Sequence, residues 1–223
     1  MVELSVSQLA GFLLAAALIT LAPGPDNLSV LSLGLSRGRH AGIGFGLGCA
    51  LGCFTHTVWA TLGVTALIAA SETAFLALKM AGAAYLVWIG IRMLLSKATQ
   101  SPIGQASAVS VTELAPAPAR AGAVFMGGFW TNVLNPKVAI FFLAFVPQFI
   151  APATQNKALA FVLLGVLFNV NAIPVNALWA LAASWMARRV GAVQKGMHWL
   201  DRVAGAMFIG FGLKLAFTEQ PSA

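Results

Sequence analysis

Asp26 follows Pro23-Gly24-Pro25 and precedes Asn27 inside an apolar run from Leu9 to Leu35; Lys137 follows Asn135-Pro136 inside a second apolar run. A carboxylate or an ammonium is costly at membrane depth, and persists there when it faces protein or a water-filled cavity. Such a pair suits a solute that carries both charges. Lys137 and nearby half-helix N-termini would receive a carboxylate, and Asp26 an ammonium group or a proton. The plainer alternative is a buried ion pair that only holds two halves together, and the two roles are compatible. Amides gather at the same level: Asn27, then Asn132 and Asn135, then Asn169, Asn171 and Asn176 around Pro174. Some of these act as glue between helices, at roughly 2 kcal/mol or less each. Asn169 or Asn171 is expected to line the pathway.

His56 follows Cys53 and Cys49 by about one and two helical turns. Soft ligands on one face suit a transition metal, which gives an alternative reading as a metal-cation exporter using Cys49, Cys53 and His56. Against it, no His-rich or acidic loop gathers metal, so no metal or other cofactor is expected. Imidazole titrates near neutrality, which makes His56 a candidate for handling protons. The two thiols project in parallel from one helix, a poor arrangement for a disulfide.

The elements that must position these residues follow from the prolines. Each proline removes a backbone donor and clashes with the preceding turn, so both apolar runs are expected to be helices broken mid-span, with the freed backbone groups turned to protein or to a wet cavity. Six spans are predicted, near 7–35, 41–69, 74–95, 121–150, 157–186 and 198–217. Loop one is Ser36 to His40, loop two surrounds Glu72, loop four is Ala151 to Asn156, and loop five carries Arg188, Arg189, Lys195 and Arg202. The third connection is rich in Ser, Ala, Pro and Gln and reads as a linker. The predicted architecture is thus an all-α membrane protein in one domain, 1–223: repeat one about 1–97, linker about 98–119, repeat two about 120–218. Three spans per half, each half opening with a proline-broken helix, makes two inverted repeats, and paired breaks at matching positions point to a transport site. On that ground Pro23, Gly24, Pro25 and Pro136 join the candidate site.

Composition agrees. The chain of 223 residues is 59% hydrophobic and 9% charged, where soluble domains carry about a quarter charged residues. Met1-Val2-Glu3-Leu4 lacks the basic residue of a cleaved signal, so the first segment is expected to be a permanent helix. The net charge of +7 is not interleaved with aromatics, and no nucleic-acid partner is expected. Lys and Arg concentrate in loops one, three and five, which places both termini on the periplasmic side. Gly44, Gly48 and Gly52, with Gly42 and Gly46 beside them, form rows for close helix packing that would permit a homodimer. They are not a phosphate loop, and no Ser-His-Asp or His-Glu-x-x-His arrangement suggests an enzyme.

The residues resemble the lysine-exporter family, the LysE/RhtB amino-acid exporters. The likeness runs through Pro23-Gly24-Pro25, Arg39-His40-Ala41-Gly42 leading into the glycine-rich span, Met80-Ala81-Gly82-Ala83-Ala84-Tyr85-Leu86 to Gly90, and Gly128-Phe129-Trp130-Thr131-Asn132-Val133-Leu134-Asn135-Pro136-Lys137 followed by Pro147-Gln148-Phe149. The resemblance implies a bacterial inner-membrane exporter of amino acids or close derivatives, driven by the proton-motive force, with the lipid bilayer, a small amino acid and protons as its partners. The residues add one preference. Asp26 is the single acidic residue well inside the spans, and Lys137 is its expected partner, so a dibasic substrate would lack a carboxylate for its side chain. A neutral zwitterion of the threonine or homoserine kind fits better.

Overall fold

The computed structural model describes residues 5–22, 24–95, 120–150, 154–186 and 190–217. Pro23, the linker 98–119 and the loop residues Ala151, Arg188 and Arg189 lie outside them. Among the described residues every regular element is helical: α1 Val6–Leu21, α2 Pro25–Arg37, α3 Arg39–Ala70, α4 Glu72–Leu95, α5 Ala121–Val133, α6 Pro136–Ile140, α7 Lys157–Met186 and α8 Val190–Phe217. Helix α6 runs on through a π-helical stretch, Phe141–Phe145, and a 3₁₀ turn, Val146–Phe149.

Local chemistry fixes the ends. α1 starts on a capping box, in which the Gln8 amide donates to Ser5 Oγ at 3.2 Å and the Ser5 amide to Gln8 Oε1 at 2.9 Å. It stops at Ala22, and α2 restarts with Pro25 in its first turn, where a missing N–H costs nothing. The two segments meet at 50°. The second break is built alike. Asn135 caps α6 by accepting the Lys137 amide at 3.0 Å, Pro136 opens the helix, and α5 and α6 are bent by 46°.

Pro147 accounts for the π-helical stretch, because its missing N–H and its ring displace the Leu143 carbonyl, which a wider turn accommodates. The Gln148 side chain then donates to the Ala144 carbonyl at 3.3 Å.

Two expected loops are shorter than predicted. Ser36 to His40 reduces to Gly38 alone, whose φ of 86° lies in the left-handed region that only glycine enters without strain. Loop two reduces to Ser71, whose hydroxyl accepts the Ala74 amide at 3.2 Å. Loop five is a correction of another kind. Lys195 and Arg202 belong to α8, which begins at Val190 rather than near residue 198, because no proline interrupts the sequence from there to Phe217.

Three helical stretches, Arg39–Gly63, Thr73–Leu95 and Lys157–Ala182, are long and apolar enough to cross a membrane, and the two bent pairs raise the number to five. The described apolar part of α8, Gly205–Phe217, is shorter than a span. The chain is a multi-pass membrane protein.

Glycines let the spans touch backbone to backbone. A Cβ on Gly48 would strike the Phe125 carbonyl, and one on Gly128 the Phe45 carbonyl, so α3 and α5 cross in direct contact. Gly52 faces the Phe129 carbonyl, Gly46 faces Asn176 and Gly42 faces Ala180. Gly42, Gly46, Gly48 and Gly52 thus meet neighbours within the chain, whereas Gly44 has no atom within 4 Å of the place its Cβ would take. α4 and α8 meet the same way at Gly90 and Gly205, each Cβ directed at the other's carbonyl at 2.5 and 2.7 Å. Phe12, Phe141, Phe142, Phe145, Phe149 and Phe168 pack as a ring cluster on one side of the breaks, for example Phe142 on Phe168 with centroids 5.1 Å apart. These contacts predict that Gly48→Ala costs about 1–3 kcal/mol by overpacking, read as a lower thermal unfolding temperature of the purified protein, whereas Gly44→Ala does not lower it, since its Cβ meets open space and alanine is the better helix former.

Candidate functional site

Breaking a membrane helix frees carbonyls, and the polar side chains here are spent on them. Ile19 is four residues before Pro23, which has no N–H to offer it. Lys137 Nζ donates to the Ile19 carbonyl at 3.2 Å and to the Ala22 carbonyl at 3.1 Å. Asn27 Nδ2 donates to the Thr20 carbonyl at 2.6 Å and to the Ala22 carbonyl at 2.9 Å. Asn132 stands in the same relation to Pro136. Its carbonyl accepts the Asn135 amide at 2.9 Å and His56 Nε2 at 2.8 Å. A carbonyl can only accept, so Nε2 carries the proton and the tautomer is fixed.

Asp26 and Lys137 come together from the two breaks. Nζ lies 3.6 Å from Asp26 Oδ1, and the residues are 7% and 5% exposed. At that distance the pair has Coulomb attraction without a hydrogen bond, and Oδ1 has no donor. The helix ends assist both charges. Asp26 sits in the first turn of α2, at its positive end, and the ammonium sits on the closing carbonyls of α1, at its negative end. Gly24 makes the approach feasible, since a Cβ there would lie 2.5 Å from Nζ.

The pair opens onto a cavity lined by Thr20, Asp26, Asn27, Asn132, Lys137, Asn169 and Asn176, with Cys49, Cys53 and the apolar Ile19, Ala50, Val138, Phe168 and Ala172. About 20 Å³ is open to the centre of a water molecule. That is room for roughly one water, so the cavity is closed to anything as large as an amino acid. Three lining acceptors, Asp26 Oδ1, Asn132 Oδ1 and Asn169 Oδ1, are buried without a hydrogen-bond partner. Buried polar atoms are rarely left so, and what these atoms lack is a donor.

Of the residues singled out from the sequence, Asp26, Asn27, Asn132, Lys137 and Asn169 line the cavity. Gly24 lies against Lys137, Asn135 is the buried cap of α6, and His56 stands behind Asn132 and stacks on Phe142 at 6.2 Å. Pro25 and Pro136 are exposed and act by shaping the breaks. Asn171 does not join them; its Nδ2 donates to the Leu13 carbonyl at 3.3 Å. Residues two apart on a helix point to different faces, so Asn169 and Asn171 cannot share a cavity. Thr20, Cys49, Cys53 and Asn176 complete the lining without having been assigned to it. Their signal was helical spacing: Asn169, Ala172 and Asn176 recur at i, i+3 and i+7, and Cys49 and Cys53 at i and i+4. Among the described residues no three His, Cys, Asp or Glu side chains stand close enough to hold a metal ion. The thiols face the cavity while His56 is turned to a carbonyl, so the proposed trio is not assembled.

Comparison with known proteins gives a consistent picture. A family model described as "LysE type translocator" matches residues 17–219. A membrane protein of Vibrio cholerae without an assigned activity is 34% identical over 208 residues, 92% of this chain and 94% of its own length. The homoserine/homoserine lactone efflux protein of Salmonella typhimurium is 30% identical over 208 residues, again 92% and 94%. The leucine efflux protein of Klebsiella pneumoniae is 28% identical over 214 residues, 96% and 97%. No solved structure matches.

Removing one charge of the buried pair strands the other, a loss of about 3–5 kcal/mol in comparable pairs. Asp26→Asn and Lys137→Ala are each expected to lower the thermal unfolding temperature, and the double variant to fall by less than the two together. Additive losses in that cycle would mean that the two charges do not interact.

Proposed function

The chain belongs to the LysE type translocator family, transporters and not enzymes, and from that premise we propose that it exports amino acids or close derivatives across the bacterial inner membrane by alternating access. The observation that carries the proposal is the buried Asp26–Lys137 pair at the meeting of two broken spans. The charges are opposite, close and beside a cavity, which is what the ammonium and carboxylate of one small zwitterion require. Substrate and ion sites built from interrupted helices are the common solution in secondary transporters.

The proposed substrate is neutral and hydroxylated, of the homoserine or threonine kind. The unpartnered acceptors Asn132 Oδ1 and Asn169 Oδ1 suit an N–H or O–H donor. Asp26 is the one carboxylate of the lining, so a second ammonium on a basic amino acid would find no anion of its own. Two relatives are named for homoserine and for leucine, both neutral, and the amide-rich wall favours the more polar of the two. Coupling to protons is proposed through Asp26 or His56, two buried titratable groups beside the breaks.

Two inverted repeats of three spans are part of the same reading. In support, the bends are similar at 50° and 46°, α5 packs on α3 of the other half as α1 packs on α7, and α4 and α8 meet through reciprocal glycines. Both termini are proposed to face the periplasm, from the placement of Lys and Arg.

Inside-out vesicles test the transport reading. Homoserine is expected to accumulate when a proton gradient is imposed and to leak away when it is collapsed, with lysine taken up more slowly. Asp26→Asn and Lys137→Ala should each lower the rate at least about tenfold, the effect of losing about 1.4 kcal/mol of recognition. Unchanged export in both variants would reduce the pair to a structural tie. A reporter fused after Ala223 is expected to be active in the periplasm, and cytoplasmic activity would reverse the orientation.

A further inference from the structure

The surroundings of Lys137 Nζ have a chemistry of their own. One ammonium nitrogen is met by the Ile19 carbonyl at 3.2 Å, the Ala22 carbonyl at 3.1 Å and Asp26 Oδ1 at 3.6 Å. Two carbonyls take two N–H bonds of the primary ammonium, and the carboxylate beside them supplies the counter-charge. The space exists because residue 24 has no Cβ, which would stand 2.5 Å from the nitrogen. Ile19, Asp26 and Lys137 all line the cavity, so the ammonium and two of the residues around it border the chamber.

We infer that the two α1 carbonyls and Asp26 form the subsite for the substrate's ammonium group, and that Lys137 occupies it in this structure as a tethered stand-in for the substrate. The inference rests on the export reading and specifies how the site is used. An incoming primary ammonium displaces the lysine. The lysine, still tethered to α6, is then free to meet the substrate's carboxylate. The exchange discriminates by chemistry. A zwitterion gives the displaced ammonium an anion, whereas an amine without a carboxylate leaves it buried and unpaired, a costly state. A quaternary ammonium cannot exchange at all, having no N–H to offer the carbonyls. In the alternative, Lys137 is a fixed cap on the end of α1 that no ligand replaces.

The two are separated with the purified full-length protein and three probes: ethylammonium chloride, tetramethylammonium chloride at matched ionic strength, and homoserine. Any ligand that binds the folded state raises the unfolding temperature. A site occupied by its own side chain binds a competitor more weakly by the fraction of time it stands vacant. Ethylammonium is therefore expected to stabilise Lys137→Ala saturably, at concentrations at least about tenfold below any effect on the wild type. Tetramethylammonium should do nothing in either protein. Adding Gly24→Ala to Lys137→Ala should abolish the ethylammonium response by filling the position of the nitrogen. If Lys137→Ala does not fold, Asp26→Asn/Lys137→Ala removes the stranded charge, and a smaller ethylammonium response is expected through the two carbonyls. Equal responses to the two salts, an equal ethylammonium response in the wild type, or a response that survives Gly24→Ala would overturn the inference. So would no response in either variant. Homoserine on the wild type separates this inference from the export reading. Ethylammonium stabilisation of Lys137→Ala without homoserine stabilisation of the wild type supports the subsite and removes the substrate assignment. Homoserine stabilisation with no ethylammonium response removes the subsite and leaves export standing.

Discussion

Inside a bilayer a backbone carbonyl without a donor costs several kcal/mol, and the prolines at 23 and 136 each create one. The donors that answer come from across the chain. Lys137 in the second half reaches the Ile19 and Ala22 carbonyls of the first break, and His56 in the first half reaches the Asn132 carbonyl of the second. Asn27 serves its own break by taking Thr20 and Ala22. The two interruptions thus depend on one another, and neither can rearrange without releasing a buried polar group that belongs to the other half. The placement of the ion pair follows from this. Asp26 is within reach of Lys137 because the lysine is already held over the end of α1.

A closed cavity fits this state. With room for about one water and three acceptors without a donor in the protein, the chamber is polar and small, and the α3 and α5 walls are held together by direct backbone contacts at Gly48 and Gly128. Such contacts resist compression and permit sliding, since no interlocking side chain crosses them. The departures from regular helix lie elsewhere, in the 50° and 46° bends and in the π-helical turn before Pro147. In the proposed cycle the rigid glycine seams carry the spans as bodies while the breaks absorb the change. The phenylalanine cluster around Phe142 and Phe168 closes one side by packing alone.

Much of this was legible in the residues, for identifiable reasons. Two prolines with a glycine at 23–25, and Asn135-Pro136, marked both breaks and their flanking polar residues, whereas Pro174 alone leaves α7 continuous; long apolar runs gave α4, α7 and the α5–α6 segment nearly to the residue. Charge placed Asp26 opposite Lys137 because opposite charges at matching depths leave few alternatives. Other features depend on three-dimensional partners that no local pattern names. Asn171 was grouped with Asn169 by composition, although two residues along a helix turn a side chain to another face, and it bonds to Leu13 instead. The glycine rows on α3 named no partner, and only the positions of α5 and α7 reveal what Gly42, Gly46, Gly48 and Gly52 pack against. Lys195 and Arg202 suggested a loop because they are charged, yet nothing in that stretch breaks a helix, and α8 runs through it. The role of Lys137 toward backbone carbonyls left no trace in the sequence, since a carbonyl carries no residue identity.

The claim beneath all of this is that one small chamber recognises two opposite charges of one molecule at once. Equilibrium binding to the purified protein tests it most directly, comparing homoserine with the same skeleton lacking its carboxylate, 3-aminopropan-1-ol, and lacking its ammonium, 4-hydroxybutanoate. Homoserine is expected to bind more tightly than either fragment by at least about tenfold, one contact of about 1.4 kcal/mol, with the advantage lost when Asp26 or Lys137 is replaced. Binding of either fragment as tight as that of the whole molecule would contradict it.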